Sequence, residues 1–374
     1  MSRQRTLLLA FVCALAPIPG GGGVVAQMGT TLARTGVYFE SYSFGSGLAF
    51  NRISELTIPV SLTQRFGNRV VLDVATAFAS ASSDQAGGGT IEYSGFIDTD
   101  FRATVSVVPG RLLFTFIGTV PTGATTVPDT TIPLFGATAT DLLAFTIPNF
   151  GTGGGVSSGF ASAFPIGSNW ALGGAASYRQ GASYVPVTGG SRLVPGGEIR
   201  ARVGIEGPFG HEKYFRGAIL YAASGANDIG AGQQTSIGDR VLAYVSASLP
   251  AGRSHLSLYG WEMRRLRARN YADSATVVVP RGNFLAVGAR LETPLSPKAT
   301  LVPVLEFRHE LTGPADKMEL LGYLLRTGTD LRYRLSDRAT GVIQAQIAFG
   351  TLQDQGTQAS LVGSRIGALI EWSR

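Results

Sequence analysis

The side chains that could do chemistry in this sequence are few and scattered. His211, His255 and His309 are its only histidines, and they lie too far apart in the chain to pair with one nucleophile by local spacing. Cys13, the only cysteine, sits in an N-terminal apolar stretch behind Phe11-Val12, whereas a lipid anchor needs a small residue directly before the cysteine. Without further thiols to join the three histidines, a transition-metal site has little support. The glycine runs Gly87-Gly88-Gly89 and Gly151-Thr152-Gly153-Gly154-Gly155 lack the strand and helix that a phosphate cradle needs. The sequence therefore predicts no catalytic group, metal or cofactor.

Arginine is what remains. Of 31 basic residues only Lys213, Lys298 and Lys317 are lysines, and the arginines are interleaved with 25 acids along the chain. A nucleic-acid binder would gather its charge into one patch or stripe, so that partner class is discarded. Guanidinium groups suit carboxylate and phosphate partners, and they also pair with acids to keep a polar interior hydrated and rigid. Both readings require elements that bring the arginines to one face.

The composition limits those elements. The 374 residues are 44% hydrophobic and only 15% charged, with 50 glycines and a mean hydropathy of +0.18. That apolar content excludes a disordered chain, and the glycines show no period of three. Residues 1–26 have the form of a secretory signal: Arg3 and Arg5, an apolar stretch from Leu7 to Ala16, then Val24-Val25-Ala26 before Gln27. Its removal would leave residues 27–374 with a net charge of +4 rather than +6. Beyond it no apolar run approaches the ~20 residues of a membrane-spanning helix.

Sixteen segments with apolar residues at every second position fill the remainder, near 34–44, 52–65, 69–81, 94–108, 111–121, 155–165, 169–181, 196–207, 213–225, 239–249, 253–268, 282–293, 298–311, 319–335, 338–351 and 359–373. Fourteen is the alternative count, because Pro59 and Pro303 fall inside segments and predict bulges or shifted boundaries there. The connections alternate between short turns such as Phe66-Gly67-Asn68 and Pro109-Gly110 and longer Gly/Ser/Thr/Asp-rich loops. Long loops at one end and short turns at the other predict an all-β fold: a transmembrane, antiparallel, up-and-down β-barrel with its lipid bilayer as partner.

Face by face, Ile199, Ala201, Val203 and Ile205 alternate with Glu198, Arg200, Arg202 and Glu206. The same division places Arg200, Arg202, Arg216, Arg240, Arg290, Arg308, Arg326, Arg332 and Arg365 on a lumen wall. Asp98, Asp100, Glu198, Glu292, Glu306, Glu310 and Glu371 join them there. On the apolar face, Phe164, Trp170, Phe215, Tyr333 and Trp372 fall near the short turns, and Phe78, Tyr178, Tyr221 and Phe349 near the long loops. These predict two interfacial girdles.

The pattern resembles the porin-like outer-membrane barrels of Gram-negative bacteria. Val120-Pro121-Thr122-Gly123 at a strand end looks like the "PTG" element of barrels of the phenol-degradation meta-pathway type, which implies hydrophobic-compound channels. In trimeric general porins the third extracellular loop folds into the barrel. Here that loop is 122–153, with Ile132-Pro133-Leu134-Phe135, Leu142-Leu143-Ala144-Phe145 and, as its only charges, Asp129 and Asp141. So apolar a segment predicts either a lumen constriction or packing over the barrel mouth, with Thr140 capping a short helix that Pro148 stops. His255-Leu256-Ser257 with Asn270 has a loose similarity to outer-membrane phospholipase, but the residues around it do not match.

The expected function is passive diffusion of small solutes with a weak preference for anions. The alternatives are facilitated uptake of hydrophobic or aromatic compounds, and a structural or adhesion barrel with a closed lumen. A homo-oligomer is compatible with all three.

Overall fold

The computed structural model describes residues 30–167, 169–230, 234–235, 237–266, 281–313, 319–354 and 356–374; the expected signal segment 1–26 and Asn270 lie outside them. The alternating segments become β1 (Thr31–Phe44), β2 (Phe50–Phe66), β3 (Val70–Gln85), β4 (Thr90–Phe96), β5 (Thr99–Val108), β6 (Leu112–Val120), β7 (Gly155–Ile166), β8 (Trp170–Gly181), β9 (Glu198–Gly210) and β10 (Lys213–Ser224). After two short strands in a loop, β11 (Asn227–Asp228) and β12 (Gln234–Thr235), follow β13 (Arg240–Ala251), β14 (Ser254–Arg265), β15 (Arg281–Pro294), β16 (Ala299–Gly313), β17 (Glu319–Arg334), β18 (Ala339–Asp354) and β19 (Thr357–Ser373).

Both β4 and β5 pair with β3 and form two halves of one wall strand, so sixteen strands go round. Each is antiparallel to its neighbours, and β1 pairs with β2 on one side and β19 on the other, from Leu32 opposite Ser373 to Phe44 opposite Leu361. The sheet is therefore closed. Closure satisfies every strand edge internally, which lipid requires because it offers no hydrogen bonds. The fold is all-β apart from one 3-10 turn and one short helix among the described residues.

The break between β4 and β5 is a one-residue insertion. Phe78 faces Phe96, but three residues back Ala75 faces Asp100, so the chain gains one position near Ile97-Asp98-Thr99. An extra residue reverses which parity points inward. Tyr93 and Asp100 consequently share the inner face although one is odd and the other even. The expected single strand over 94–108 differs in just this respect.

The bulges expected at the prolines do not form. Pro59 stays in register with Ala77 on β3, while the β1–β2 pairing skips from Thr35–Val60 to Tyr38–Thr57. Pro303 stays opposite Thr329, and the β15–β16 pairing skips between Arg290–Val304 and Thr293–Leu301. Each strand residue donates to only one neighbour, so a missing N–H opens a local gap on one side rather than breaking the strand.

Two connections expected to be long loops, around 82–93 and 352–358, are instead paired strand up to tight turns. Ser82, Ser83, Asp84 and Gln353 there resemble loop composition, and cross-strand pairing rather than a regular apolar alternation makes them strand. The wall is uneven as a result. Strands β1–β3 and β15–β19 run 14 to 17 residues, whereas β6–β10 and β13–β14 run 9 to 13.

Outward positions form an exposed apolar belt that includes Phe39, Val60, Phe114, Ile219, Ile343 and Ile366. Ile366, 59% exposed on β19, has the β1 residue Phe39 beside it on the same outward face. Replacing Ile366 with arginine should cost about 2–4 kcal/mol of barrel stability, as a charge facing mid-bilayer does. Ser157→Arg, on the inner face of β7, should cost far less. Urea unfolding in lipid vesicles measures both, and equal costs would contradict the assignment of faces.

Candidate functional site

The connection between β6 and β7 lies against the inner face of the taller wall. It opens with a 3-10 turn, Asp129–Thr131, that leads into helix α1 (Ile132–Thr138), with Pro133 in the first turn where a missing N–H does no harm. The helix precedes Thr140 rather than following it, contrary to the sequence expectation. Ala144 N–H donates to Thr140 O at 3.1 Å, but Ala144 takes φ 49°, which ends any helix after one turn.

The wall supplies the hydrogen bonds that a helix would have supplied. Leu142 N–H donates to Glu310 at 3.0 Å, Thr146 N–H to Glu40 at 2.8 Å and Ile147 N–H to Glu55 at 2.9 Å. On the carbonyl side, Asp141 O accepts from Arg308 at 3.2 Å, Leu143 O from Arg326 at 3.0 Å and from the Tyr42 hydroxyl at 2.8 Å, and Ala144 O from Arg365 at 2.9 Å. Carboxylates from β1, β2 and β16 thus hold the amides of 142–147, while arginines from β16, β17 and β19 hold its carbonyls. These charged groups brace one another: Arg308 meets Glu306 at 2.7 Å, Arg326 donates to Tyr42 at 2.6 Å and Arg365 pairs with Glu40.

Side chains of the loop fill the space beside this polar bed. Leu134, Leu142, Leu143 and Phe145 are at most 1% exposed and join Tyr42, Ile53, Ala77, Ala79, Leu324 and Leu361 in one apolar cluster. Phe135 meets Tyr93 and Phe150 with ring centroids 5.2 and 5.4 Å apart. Burying each such side chain contributes on the order of 1.5–3 kcal/mol. Leu134, Leu142 and Phe145 accordingly act as anchors turned toward the wall, Asp141 contributes a carbonyl, and Asp129 stands exposed in the 3-10 turn, apart from the others.

Both ends of the loop converge on Asp98 at the β4–β5 bulge. Its carboxylate accepts Gly123 N–H at 3.2 Å, Thr152 N–H at 2.7 Å and the Thr152 hydroxyl at 3.1 Å. The inserted residue places this carboxylate at the loop's base, as bulges commonly re-aim side chains near functional sites.

The lower wall carries a second charged group. Glu198 on β9 accepts Arg200 and Arg240 and the Ser224 hydroxyl, the last at 3.2 Å. On the same wall Arg216 meets Glu206 at 2.7 Å and Asp100 accepts Thr119 at 2.6 Å, whereas on the taller wall Arg290 meets Asp330 at 2.9 Å and Arg332 meets Glu292 at 3.5 Å. Arg202 has no hydrogen-bond or ion-pair partner among the described residues. The strand register sets fifteen of the sixteen residues of the expected lumen wall on the inner alternation, in two groups rather than one ring, while Asp98 lies between β4 and β5 outside the register pairs.

All nine aromatics of the expected girdles lie on the outer alternation, Trp170 and Phe215 with centroids 6.2 Å apart and Phe78 and Phe96 5.7 Å apart. Phe101, Phe114, Phe116 and Phe160 also face outward, so aromatics are not confined to two bands.

Sequence reasoning missed Glu40, Glu55, Tyr42 and Arg179. The first three have the parity of the charged face in β1 and β2, which was the available signal. What they hold could not be read from it. His211 lies in the β9–β10 turn, His255 pairs across from Glu292, and His309 is opposite Tyr323 on the outer alternation. No group of three or more metal-ligating side chains occurs among the described residues.

No family model matches the chain, and no curated protein matches it. Solved structures similar to it include a bacterial polysaccharide outer-membrane secretin (7% identity, 93% of this chain and 99% of that one, TM-score 0.48). OccK7 of Pseudomonas aeruginosa is another (9%, 92% and 98%, 0.46), as is an anion-selective porin from Comamonas acidovorans (14%, 92% and 99%, 0.41). By fold the chain is a closed, antiparallel, sixteen-stranded β-barrel. At these identities the likeness concerns architecture alone, and the site has to be interpreted from its own residues.

Proposed function

We propose that this barrel is an outer-membrane channel for passive diffusion of small solutes, narrowed on one side by the 122–153 loop. The observation that carries the reading is the main-chain seating of 141–147 on inward-facing Glu40, Glu55, Glu310, Arg308, Arg326 and Arg365. A sixteen-stranded barrel is wide enough for an aqueous passage. A loop pinned to one wall takes up part of that width and leaves the opposite, arginine-bearing wall facing the passage.

Recognition through backbone amides and carbonyls favours a fixed constriction over a mobile lid. Every polar group of the segment that the wall engages has a charged or hydroxyl partner, and charge-assisted hydrogen bonds are the stronger kind. Deleting 128–147 should raise single-channel conductance in planar bilayers by about twofold or more, since conductance follows the open cross-section. Unchanged conductance would count against a constriction, and absence of any conductance in the intact protein would count against a channel.

A further inference from the structure

The loops over the lower wall enclose a recess that the constriction does not use. It is lined by Arg179 from β8, Glu198 and Arg200 from β9, Arg240 from β13 and the side chains of Tyr184, Leu193, Pro195 and Ile237 above them. Its roof is built rather than loose. Tyr184 and Leu193 pair through two backbone hydrogen bonds of 3.0 and 2.7 Å, and Val194 pairs with Asp228. Gly153 takes φ +80° and lies so close to the Tyr184 ring that a Cβ would meet it at 2.6 Å, which joins the roof to the base of the constriction loop.

The charges in the recess are unequal. Three arginines face one carboxylate, and both oxygens of Glu198 are already engaged by Arg200, Arg240 and Ser224. Arg179 sits directly across from Glu198 in the β8–β9 register, yet it has no hydrogen-bond or ion-pair partner among the described residues. A further acid that acts on Arg179 through its charge, Asp100, also accepts the Thr119 hydroxyl at 2.6 Å. Burial, with Asp98 behind it, pushes the Tyr184 phenol above its ordinary range and keeps it neutral. A half-buried guanidinium without a partner, beside an apolar roof, suits an anion that carries an apolar body.

We propose that this recess is a binding subsite for small organic carboxylates with an apolar or aromatic body. Arg179 takes the carboxylate, and Tyr184, Leu193 and Ile237 cover the body. The subsite deepens the channel reading by naming a solute class and depends on that reading only for the route by which the solute enters and leaves.

Benzoate tests it, with acetate lacking the body and benzyl alcohol lacking the charge. In titrations of the detergent-solubilised full-length barrel, benzoate should bind, and Arg179→Gln should weaken it about tenfold or more, the scale of a lost charge-assisted contact. Acetate and benzyl alcohol should each bind at least about tenfold more weakly than benzoate. In planar bilayers benzoate should block the chloride current of the native barrel and not that of Arg179→Gln. Retained heat-modifiable mobility of the variant shows that it has folded, and Arg179→Lys, which keeps the charge but loses the planar fork, should bind at an intermediate level. Equal benzoate affinity in native protein and Arg179→Gln overturns the subsite, as does equal affinity for acetate and benzoate. Benzoate binding without conductance overturns the channel and leaves the subsite standing.

Discussion

Arg326→Ala should release segment 141–147 from the inner wall while leaving the barrel closed. The Arg326 side chain is only 4% exposed, and it donates to Leu143 O at 3.0 Å and Tyr42 at 2.6 Å and lies 3.9 Å from Glu306. Removing one member of a buried charged group costs about 3–5 kcal/mol, because the partners lose their compensation. The lower end applies here, since Glu306 keeps Arg308. The loss should fall on the loop, because each strand retains its full set of backbone pairs. Amide exchange at 142–147 should therefore rise well above that of β17, and the single-channel current should become noisy. Unchanged protection of 142–147 would refute the view that the arginines hold the loop by its carbonyls.

Asp98→Ala should detach both ends of the same loop at once. One carboxylate takes three donors from Gly123 and Thr152, so its removal leaves two backbone amides at the loop's base without their acceptor. Charge-assisted bonds contribute roughly 1.5–3 kcal/mol apiece, but bonds to one carboxylate are not additive, and a total on the order of 3 kcal/mol is expected. Asp98→Asn keeps one acceptor oxygen and should lose about half of that. Limited proteolysis near 123 and 152 gives the readout, with barrel mobility in detergent gels as the control. If cleavage is no faster in Asp98→Ala than in the native chain, the clamp is not what fixes the loop. Arg326 and Asp98 have no shared partner, so their effects should add in the double variant.

Most of the barrel was legible in the sequence for a simple reason. The bilayer outside and water inside impose a period of two on every strand, and a charge on the wrong face is costly. Strand 196–207 gave Arg200 and Arg202 their face without any knowledge of neighbours, and β9 bears this out with Ile199 and Val203 at 58% and 52% exposed. Where the inner face is covered by other parts of the chain rather than by water, that signal is lost, as at Ser83, which is 1% exposed. Ser82, Ser83 and Asp84 therefore looked like a loop but are paired strand opposite Glu92, Ile91 and Thr90. The bulge near Asp98 was equally hidden, because inserting one residue alters register and not composition.

The loop shows the same division. Its apolar content required burial, and Asp129 and Asp141 were visible as its only charges. Which surface would bury it depended on contacts between residues far apart in the chain, such as Leu142 with Glu310 and Ala144 with Arg365. Local sequence favoured a helix from Thr140 because a helix is how an isolated segment satisfies its own amides. The folded barrel offered carboxylates and guanidiniums instead, and the helix formed earlier, at Ile132–Thr138.

What the sequence determined by itself was the chain's partition between lipid and water: sixteen alternating segments, their inward charges and an apolar loop that could not lie in solvent. Only the tertiary structure decided which charges meet. Parity assigns a side chain to a face, but the ring of strand neighbours and their registers fix its height and its partner. That is why Arg200 and Arg240 share Glu198 while Arg179, across from that same glutamate, has no hydrogen-bond or ion-pair partner among the described residues.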